Sequence, residues 1–191
     1  MIKGIIFDCF GVLLVDNLQL MCDDLAKVDT GAVAEVKRLV SLANRGVIMP
    51  MDARPLIAEK FGLNTEEYIN RVTSGEGRNE SLINYIPTLR KKYKTAMLSN
   101  IGKGSLQKRF TPNEFEELFD EVVASGEIGY AKPEARAYEI VAERLGVRLD
   151  EAVFTDDREV FCEAARSCGM KAILFENTEQ FKRDLEKLLT L

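Results

Sequence analysis

Residues 3–16 of the chain read KGIIFDCFGVLLVD. The run is apolar and rich in β-branched residues until it is broken at Asp8 and Gly11. An apolar run of this length before turn residues predicts a buried β-strand. The strand therefore ends in the carboxylate of Asp8, and an aromatic residue, Phe10, stands two positions later.

The rest of the chain shows two patterns. The segment after the first strand repeats apolar residues at helical spacing, with glycine and proline breakers between the repeats. From Ser81 onward, short apolar runs alternate with helical segments, which is typical of a parallel sheet with right-handed crossovers. We predict an α/β fold with a doubly wound parallel sheet. Residues 1–16 and 80–191 form its core, and residues 17–79 form a small helical cap inserted after the first strand.

Polar side chains stand at the ends of the predicted strands. In doubly wound sheets, ligands bind in the crevice at the carboxyl ends of the strands. Three strands end in this way, and a lysine follows in a loop just before a helix predicted to begin at Pro133. The side chains expected to meet at this edge are Asp8, Ser99, Asn100, Lys132, Asp156 and Asp157.

This set of groups is suited to phosphoryl chemistry. Clustered carboxylates raise one another's pKa unless a positive charge neutralises them. Mg²⁺ is the natural counter-charge, because it binds carboxylates, backbone oxygens and the oxygens of a substrate phosphate. One carboxylate can then attack phosphorus and form an aspartyl-phosphate, while a lysine and a hydroxyl stabilise the transferred group. The set favours a magnesium-dependent reaction on a small phosphorylated metabolite.

Composition excludes several other classes. The chain has 191 residues, a net charge of −5 and no histidine, so it has neither a Ser-His-Asp triad nor a histidine metal site. Its charges are interspersed, which argues against nucleic acid as a partner. The four cysteines form no CxxC pair, and we interpret them as reduced thiols. We expect no signal peptide, no membrane partner and a cytoplasmic location.

Four segments resemble, in the same order, the four motifs of the haloacid dehalogenase-like (HAD) hydrolase superfamily. They are FDCFGVLL (7–14), MLSN (97–100), SGEIGYAKPEARAYE (125–139) and VFTDDREVFCEAARSCGM (153–170). The third and fourth segments look most like the branch with small helical caps. That branch includes sugar-phosphate phosphatases and the amino-terminal domains of epoxide hydrolases. The resemblance implies a hydrolase with a Rossmann-like core, and the cap matches only as a helical insertion in the expected place.

The resemblance also implies a role for each matched residue. Asp8 corresponds to the nucleophile, Ser99 to the phosphate-binding hydroxyl and Lys132 to the lysine of the third motif. Asp156 and Asp157 correspond to the acidic pair that completes the Mg²⁺ site. Within that pair, the resemblance places Asp157 on the metal and Asp156 in contact with Lys132.

Phe10 departs from the phosphatase pattern. Phosphatases of the family usually carry an acid there, which protonates the leaving group and then activates the hydrolytic water. Only the backbone carbonyl of this residue contacts the metal, so Phe10 threatens turnover rather than Mg²⁺ binding. Dehalogenases also lack this acid, but they use no metal and have no use for a pair such as Asp156 and Asp157. A magnesium-dependent phosphatase is therefore favoured over two alternatives, a metal-independent dehalogenase-like hydrolase and a non-catalytic phosphate-ester-binding relative.

Four residues are candidates for substrate binding: Cys9, Phe10, Ser99 and Asn100. We expect the backbone N–H of Cys9 to face the phosphate. The polar pair at Ser99 has an alternative role as the cap of a following helix. Three arginines of the cap are further candidates for binding a substrate anion: Arg38, Arg45 and Arg54.

Overall fold

The computed structural model describes residues 1–190. Its centre is a five-stranded, fully parallel sheet with the order β3-β2-β1-β4-β5. The strands are β1 (Gly4–Phe7), β2 (Lys94–Ser99), β3 (Glu121–Ala124), β4 (Ala152–Asp156) and β5 (Lys171–Leu174). Helices cover both faces, so the predicted doubly wound α/β fold is confirmed.

The first strand lies in the middle of the sheet. All four of its residues are buried, which explains why the run is continuously apolar instead of alternating. Phe7 is paired with Met97 of β2 on one side and with Thr155 of β4 on the other. The chain continuing from all three strands therefore leaves the sheet at the same edge.

Eleven α-helices surround or extend this sheet within residues 1–190. They are α1 (Asn17–Ala26), α2 (Thr30–Asn44), α3 (Pro50–Lys60), α4 (Thr65–Ser74), α5 (Glu80–Ile83), α6 (Ile86–Arg90), α7 (Pro112–Leu118), α8 (Ser125–Ile128), α9 (Ala135–Leu145), α10 (Glu159–Ser167) and α11 (Thr178–Leu189). One hydrophobic layer joins the sheet to α5, α6, α7 and α11. The opposite layer joins it to α9 and α10, where the Tyr138 ring meets Phe154 edge-on at 5.3 Å.

Helices α1 to α4 lie between β1 and β2 in sequence and share a hydrophobic cluster of their own. Asn64 and Glu67 form a reciprocal capping box at the start of α4. The two connections to the sheet run side by side, because Val15 donates its backbone N–H to the carbonyl of Gly77 at 2.8 Å. The division into a core and a cap at residues 17–79 stays a prediction.

Two helix predictions differ from the structure. The helical spacing of SLINYIPTLRKKY (81–93) predicts one helix, but the structure divides the segment between α5 and α6, because Pro87 has no N–H to bond the carbonyl of Ile83. The helix expected from Pro133 begins at Ala135. Glu134 is extended and its carboxylate accepts the backbone N–H of Ala131 at 2.9 Å, so it belongs to a turn. No helix within residues 1–190 has the length and apolar character needed to cross a bilayer.

Candidate active site

Lys132 lies at the centre of the polar groups at the carboxyl edge of the sheet. Its Nζ is 2.6 Å from Oδ1 of Asp8 and 2.6 Å from Oδ2 of Asp156. All three residues are buried, and the ammonium also lies near the rings of Phe154 and Phe161. One buried cation therefore bridges the carboxylates at the ends of β1 and β4.

The position of Lys132 is determined by Asn100, which follows β2. The amide Nδ2 of Asn100 donates to the carbonyl of Lys132 at 2.8 Å, and its Oδ1 accepts the Lys132 N–H at 2.8 Å. Both polar atoms of the Asn100 side chain are thus used to hold a loop 32 positions away. The alternative that Ser99 and Asn100 cap a following helix is wrong, since the first α-helix after β2 begins only at Pro112.

The charged groups of this cluster shift one another's pKa values. Burial, and then the charge of Asp156, raise the pKa of Asp8 to about 8, although Lys132 opposes the shift. Burial by itself would lower the pKa of Lys132, but Asp8 and Asp156 outweigh it and raise that pKa above its usual value. The lysine is therefore a permanent cation that is shared by two carboxylates.

Asp157 brings a third carboxylate to the same place. One oxygen from each of Asp8, Asp156 and Asp157 lies within 4.8 Å of the others. Partial desolvation, and then the charge of Asp156, raise the pKa of Asp157 to about 6. Gly11, with a φ of +92°, lies against this carboxylate, and a Cβ at that position would collide with it. The glycine after Phe10 therefore makes room for the acid.

Ser99 ends β2 with its hydroxyl directed into the site. The residue is fully buried, yet its Oγ has no hydrogen-bond partner among the described residues. A buried hydroxyl without a partner is costly unless a ligand completes it. The geometry therefore leaves one polar donor free beside the bridged carboxylates.

Above these groups lies a cavity of about 530 Å³, between the sheet edge and helices α1 to α4. Seven of the predicted residues line it: Asp8, Phe10, Arg45, Arg54, Ser99, Asn100 and Lys132. Cys9 is fully buried, and burial raises the pKa of its thiol well above the usual value, so the thiol is not a reactive group. That the backbone N–H of Cys9 faces the phosphate stays a prediction.

Two residues at the cavity were missed from the sequence. The Arg109 guanidinium lies 5.1 Å from the centroid of the Phe10 ring, and 2.5 Å separates it from the carboxylate of Glu76. Arg109 also donates to the carbonyl of Ser105 at 2.9 Å. Neither residue belongs to a motif, and 33 positions separate them, so no local pattern could have indicated the pair.

The three cap arginines have different positions. Arg38 is paired with Glu35 in its own helix and does not line the cavity, so its suggested role in anion binding is not supported by its place. Arg45 and Arg54 do line the cavity, and Arg45 is 3.2 Å from the carboxylate of Glu134.

Comparison with known proteins agrees with this geometry. A family model of haloacid dehalogenase-like hydrolases matches residues 2–169. The chain belongs to this family. As a HAD-like hydrolase, it is 42% identical over 76 residues to a phosphatase of Mycobacterium tuberculosis, a match that covers 38% of this chain and 35% of that protein. It is also 28% identical over 137 residues to bifunctional epoxide hydrolase 2 of Rattus norvegicus, covering 69% of this chain and 24% of that protein.

The fold of this HAD-like hydrolase is also found among solved structures. A HAD family enzyme of Bacteroides thetaiotaomicron, in complex with magnesium and inorganic phosphate, superimposes with a TM-score of 0.75. The alignment covers 93% of this chain and 96% of that chain at 22% identity, which shows a shared fold. The matches to the two curated relatives span only about a third and a quarter of their lengths.

Proposed function

We propose that this HAD-like hydrolase is a Mg²⁺-dependent phosphatase that cleaves a small phosphate monoester through an aspartyl-phosphate on Asp8. The observation that carries the proposal is the imbalance of charge in the site. Three carboxylates lie within 4.8 Å of one another, and the one buried cation among them is Lys132. A divalent cation would supply the missing positive charge.

The residues present fit Mg²⁺. The donor set is made only of oxygens, which a hard cation prefers. Asp8 and Asp157 would bind it, together with the backbone carbonyl of Phe10, which accepts no backbone N–H within residues 1–190. Asp156 is less suited, because its Oδ2 contacts Lys132 and its Oδ1 accepts the N–H of Arg158 at 3.0 Å. When bound, the ion supplies charge neutralisation at the transferred phosphoryl group.

The chain's own residues provide the remaining steps. Asp8 attacks phosphorus through a carboxylate oxygen, and the bond from phosphorus to the leaving oxygen breaks. Lys132 opposes the rise in the pKa of Asp8 and lies beside its carboxyl group, where it can also contact the incoming phosphoryl group. Ser99 donates its free hydroxyl to a phosphoryl oxygen. Water then cleaves the aspartyl-phosphate, which releases phosphate and regenerates Asp8.

The first experiment tests the nucleophile. Asp8→Asn is expected to abolish phosphate release from acetyl phosphate or an aryl phosphate, because an amide cannot attack phosphorus, while circular dichroism stays unchanged. Asp150→Asn, an exposed acid paired with Arg148, is the matched control and retains full activity. Mass spectrometry of the wild-type protein with acetyl phosphate should locate a phosphoryl group on Asp8. Normal activity in the Asp8 variant would contradict the covalent mechanism.

The same assay separates the proposal from its alternatives. Activity is expected only with Mg²⁺ and is lost on chelation. Release of chloride from 2-chloropropionate without metal, and no phosphate release, would identify a dehalogenase-like hydrolase instead. Binding of phosphate and Mg²⁺ without any turnover would identify a non-catalytic relative.

A further inference from the structure

The cavity above Asp8 is lined by more basic than acidic side chains. Its volume of about 530 Å³ is within the range of about 300–1,000 Å³ that small-molecule sites occupy. Three acidic residues line it, Asp8, Asp16 and Glu76, against seven basic ones. The basic residues are Lys37, Arg45, Arg54, Lys108, Arg109, Lys132 and Arg158. A cleft lined mainly by one sign of charge focuses its field, so this lining attracts anions.

The carboxylates of the lining already have partners. Asp8 is bridged by Lys132, and Glu76 is paired with Arg109. Asp16 caps α1, because its Oδ1 accepts a backbone N–H of that helix at 3.0 Å. A cationic group of a substrate would have to compete with these contacts.

Two cations on helices α2 and α3 have no such partner. Lys37 of α2 and Arg54 of α3 line the cavity, and neither side chain forms an ion pair or a hydrogen bond within residues 1–190. Lys37 is exposed, whereas Arg54 is half-buried. A guanidinium carries five N–H donors in a planar fork and no acceptor, so a half-buried one without a partner is suited to bind an anion.

Tyr68 of α4 adds a buried hydroxyl to the same wall. The residue is 6% exposed, and its ring stacks on Phe61 with the centroids 6.0 Å apart. It lines the cavity, and its hydroxyl has no hydrogen-bond partner in the described part of the chain. Burial raises the pKa of Tyr68 to about 12, although the charge of Arg54 opposes the shift, so the hydroxyl keeps its proton. A buried donor without a partner costs free energy that a ligand oxygen would recover.

These donors belong to the wall that faces the sheet edge. The phosphoryl group that Asp8 attacks has its own partners at that edge, Lys132 and Ser99. On the helices, Ser41 and Asn44 also line the cavity, with side chains that bond to no other residue within 1–190. The helical wall therefore has more donors than the transferred phosphoryl group requires.

We propose that the substrate carries a second anionic group, and that Arg54 and Tyr68 bind this group while the phosphoryl group lies against Asp8. This inference rests on the proposed phosphatase function and adds the substrate class. That class is a phosphate monoester with a carboxylate or a second phosphate at its other end. Arg54 and the Tyr68 hydroxyl donate charge-assisted hydrogen bonds to the oxygens of this group, and Lys37 adds positive charge nearby.

The test compares phenyl phosphates with a side chain at position 4 that ends in a carboxylate or in a primary amide. One to three methylenes separate the ring from the end group, so shape and phenol acidity stay nearly equal and only the charge differs. At the best length, kcat/KM for the carboxylate should exceed that for the amide by roughly 10- to 100-fold. The gain should appear in KM, because the second anion is bound equally in the ground state and the transition state.

Two further end groups define what the subsite binds. A phosphonate in place of the carboxylate distinguishes a second phosphate from a carboxylate, since the better of the two identifies the natural group. A primary amine, which reverses the charge, should give the lowest kcat/KM of the series.

Variants connect the preference for the anion to the cavity. Arg54→Gln removes the charge, so the ratio of carboxylate to amide should fall to within about twofold of one, and Arg54→Lys should restore part of it. Tyr68→Phe removes only the hydroxyl and should lower the ratio by roughly three- to tenfold. Arg38→Gln, at an arginine that pairs with Glu35 outside the cavity, is the matched control and leaves the ratio unchanged. Thermal melting of each variant shows whether the fold is intact.

The outcomes of the two proposals are separable. Equal hydrolysis of the carboxylate, phosphonate and amide compounds, a preference for the amine, or an unchanged ratio in Arg54→Gln overturns the subsite and leaves the phosphatase intact. If no phosphate is hydrolysed, calorimetry with Mg²⁺ and benzylphosphonates that carry the same end groups still tests the subsite. Tighter binding of the carboxylate than of the amide, lost in Arg54→Gln, then supports the subsite while the phosphatase proposal fails. Equal binding of the two overturns the subsite as well.

Discussion

Asp156 and Asp157 are neighbours in sequence, but the structure gives them different surroundings. Asp156 is fully buried with both oxygens occupied by Lys132 and by the backbone of Arg158, whereas Asp157 is exposed toward the space beside Gly11. Asp156 therefore forms the ion pair with Lys132, whereas Asp157 is free to bind a cation. This difference supports the separate roles that we predict for the two acids.

The two alanine variants should separate these roles. Asp157→Ala should reduce Mg²⁺ affinity more than Asp156→Ala, as measured by calorimetry. Asp156→Ala should instead lower the free energy of unfolding by about 3–5 kcal/mol, because it leaves a buried ammonium with one partner fewer. Urea denaturation of both variants measures that loss. Equal losses of Mg²⁺ affinity, with no difference in stability, would contradict the division.

Phe10 determines how the leaving group departs. Without an acid at this position, turnover should depend steeply on leaving-group basicity, with aryl and acyl phosphates far faster than small alkyl phosphates. The aspartyl-phosphate should also persist, which would appear as a burst of leaving group before a slow steady rate. Phe10→Asp should raise that steady rate, within the roughly 10²–10⁴-fold that a general acid provides.

Phe10→Leu is the matched control for that change, since it alters the ring without adding an acid. Rapid turnover of an alkyl phosphate by the natural protein would show that another acid protonates the leaving group. Asp16 is the residue to test next, because it lines the cavity and burial raises its pKa.

At the scale of elements, two connecting segments that lie side by side join helices α1 to α4 to the sheet. Asn17 donates its amide to the carbonyl of Arg71 at 2.6 Å, and Gly75 packs so closely against Asn17 that a Cβ would collide with it. The Glu76–Arg109 pair adds a further link from this joint to the sheet side of the cavity. If helices α1 to α4 move as a lid, these contacts lie at the hinge.

We expect residues 17–79 to act as such a lid. Backbone amides at the two joints should exchange hydrogen more slowly when Mg²⁺ and a metal fluoride occupy the site, because closure protects them. Amides of the central strand β1 are the internal control and should not change. Equal exchange at the joints with and without the analogue would mean that the helices are fixed in place.

At the scale of the whole molecule, the acidic cluster couples stability to pH and to metal. The folded-state pKa values of Asp8 and Asp157 are raised to about 8 and about 6, above those of ordinary carboxyl groups. Folding therefore favours their protonated forms. Their contribution to stability is present at low pH and is lost as the pH rises through about 6 and then about 8.

Mg²⁺ should restore this loss, because it binds only the ionised, folded site. The rise in melting temperature on adding Mg²⁺ should therefore be small near pH 5 and should grow up to pH 8. Asp157→Asn should reduce this growth, and Asp150→Asn, at an exposed position, should not. A Mg²⁺ effect that is independent of pH would contradict the coupling.

The amino-acid sequence was sufficient for the features that depend on local patterns. The buried run before Asp8 predicts β1, the alternation of apolar runs and helices predicts the parallel sheet, and the rule for strand ends brings Asp8, Ser99 and Asp156 to one edge. These predictions succeed because strand burial and crossover handedness follow from chemistry within a few residues of each position.

Other features exist only in the folded chain. The Asn100 clamp on Lys132, the Glu76–Arg109 pair and the wall of the cavity each join residues that lie far apart in sequence. Their partners are chosen by how α1 to α4 pack over the sheet edge, and that packing depends on side-chain shape rather than on periodicity. Local patterns thus predict which groups carry the chemistry, while the tertiary packing decides what holds them and what substrate reaches them.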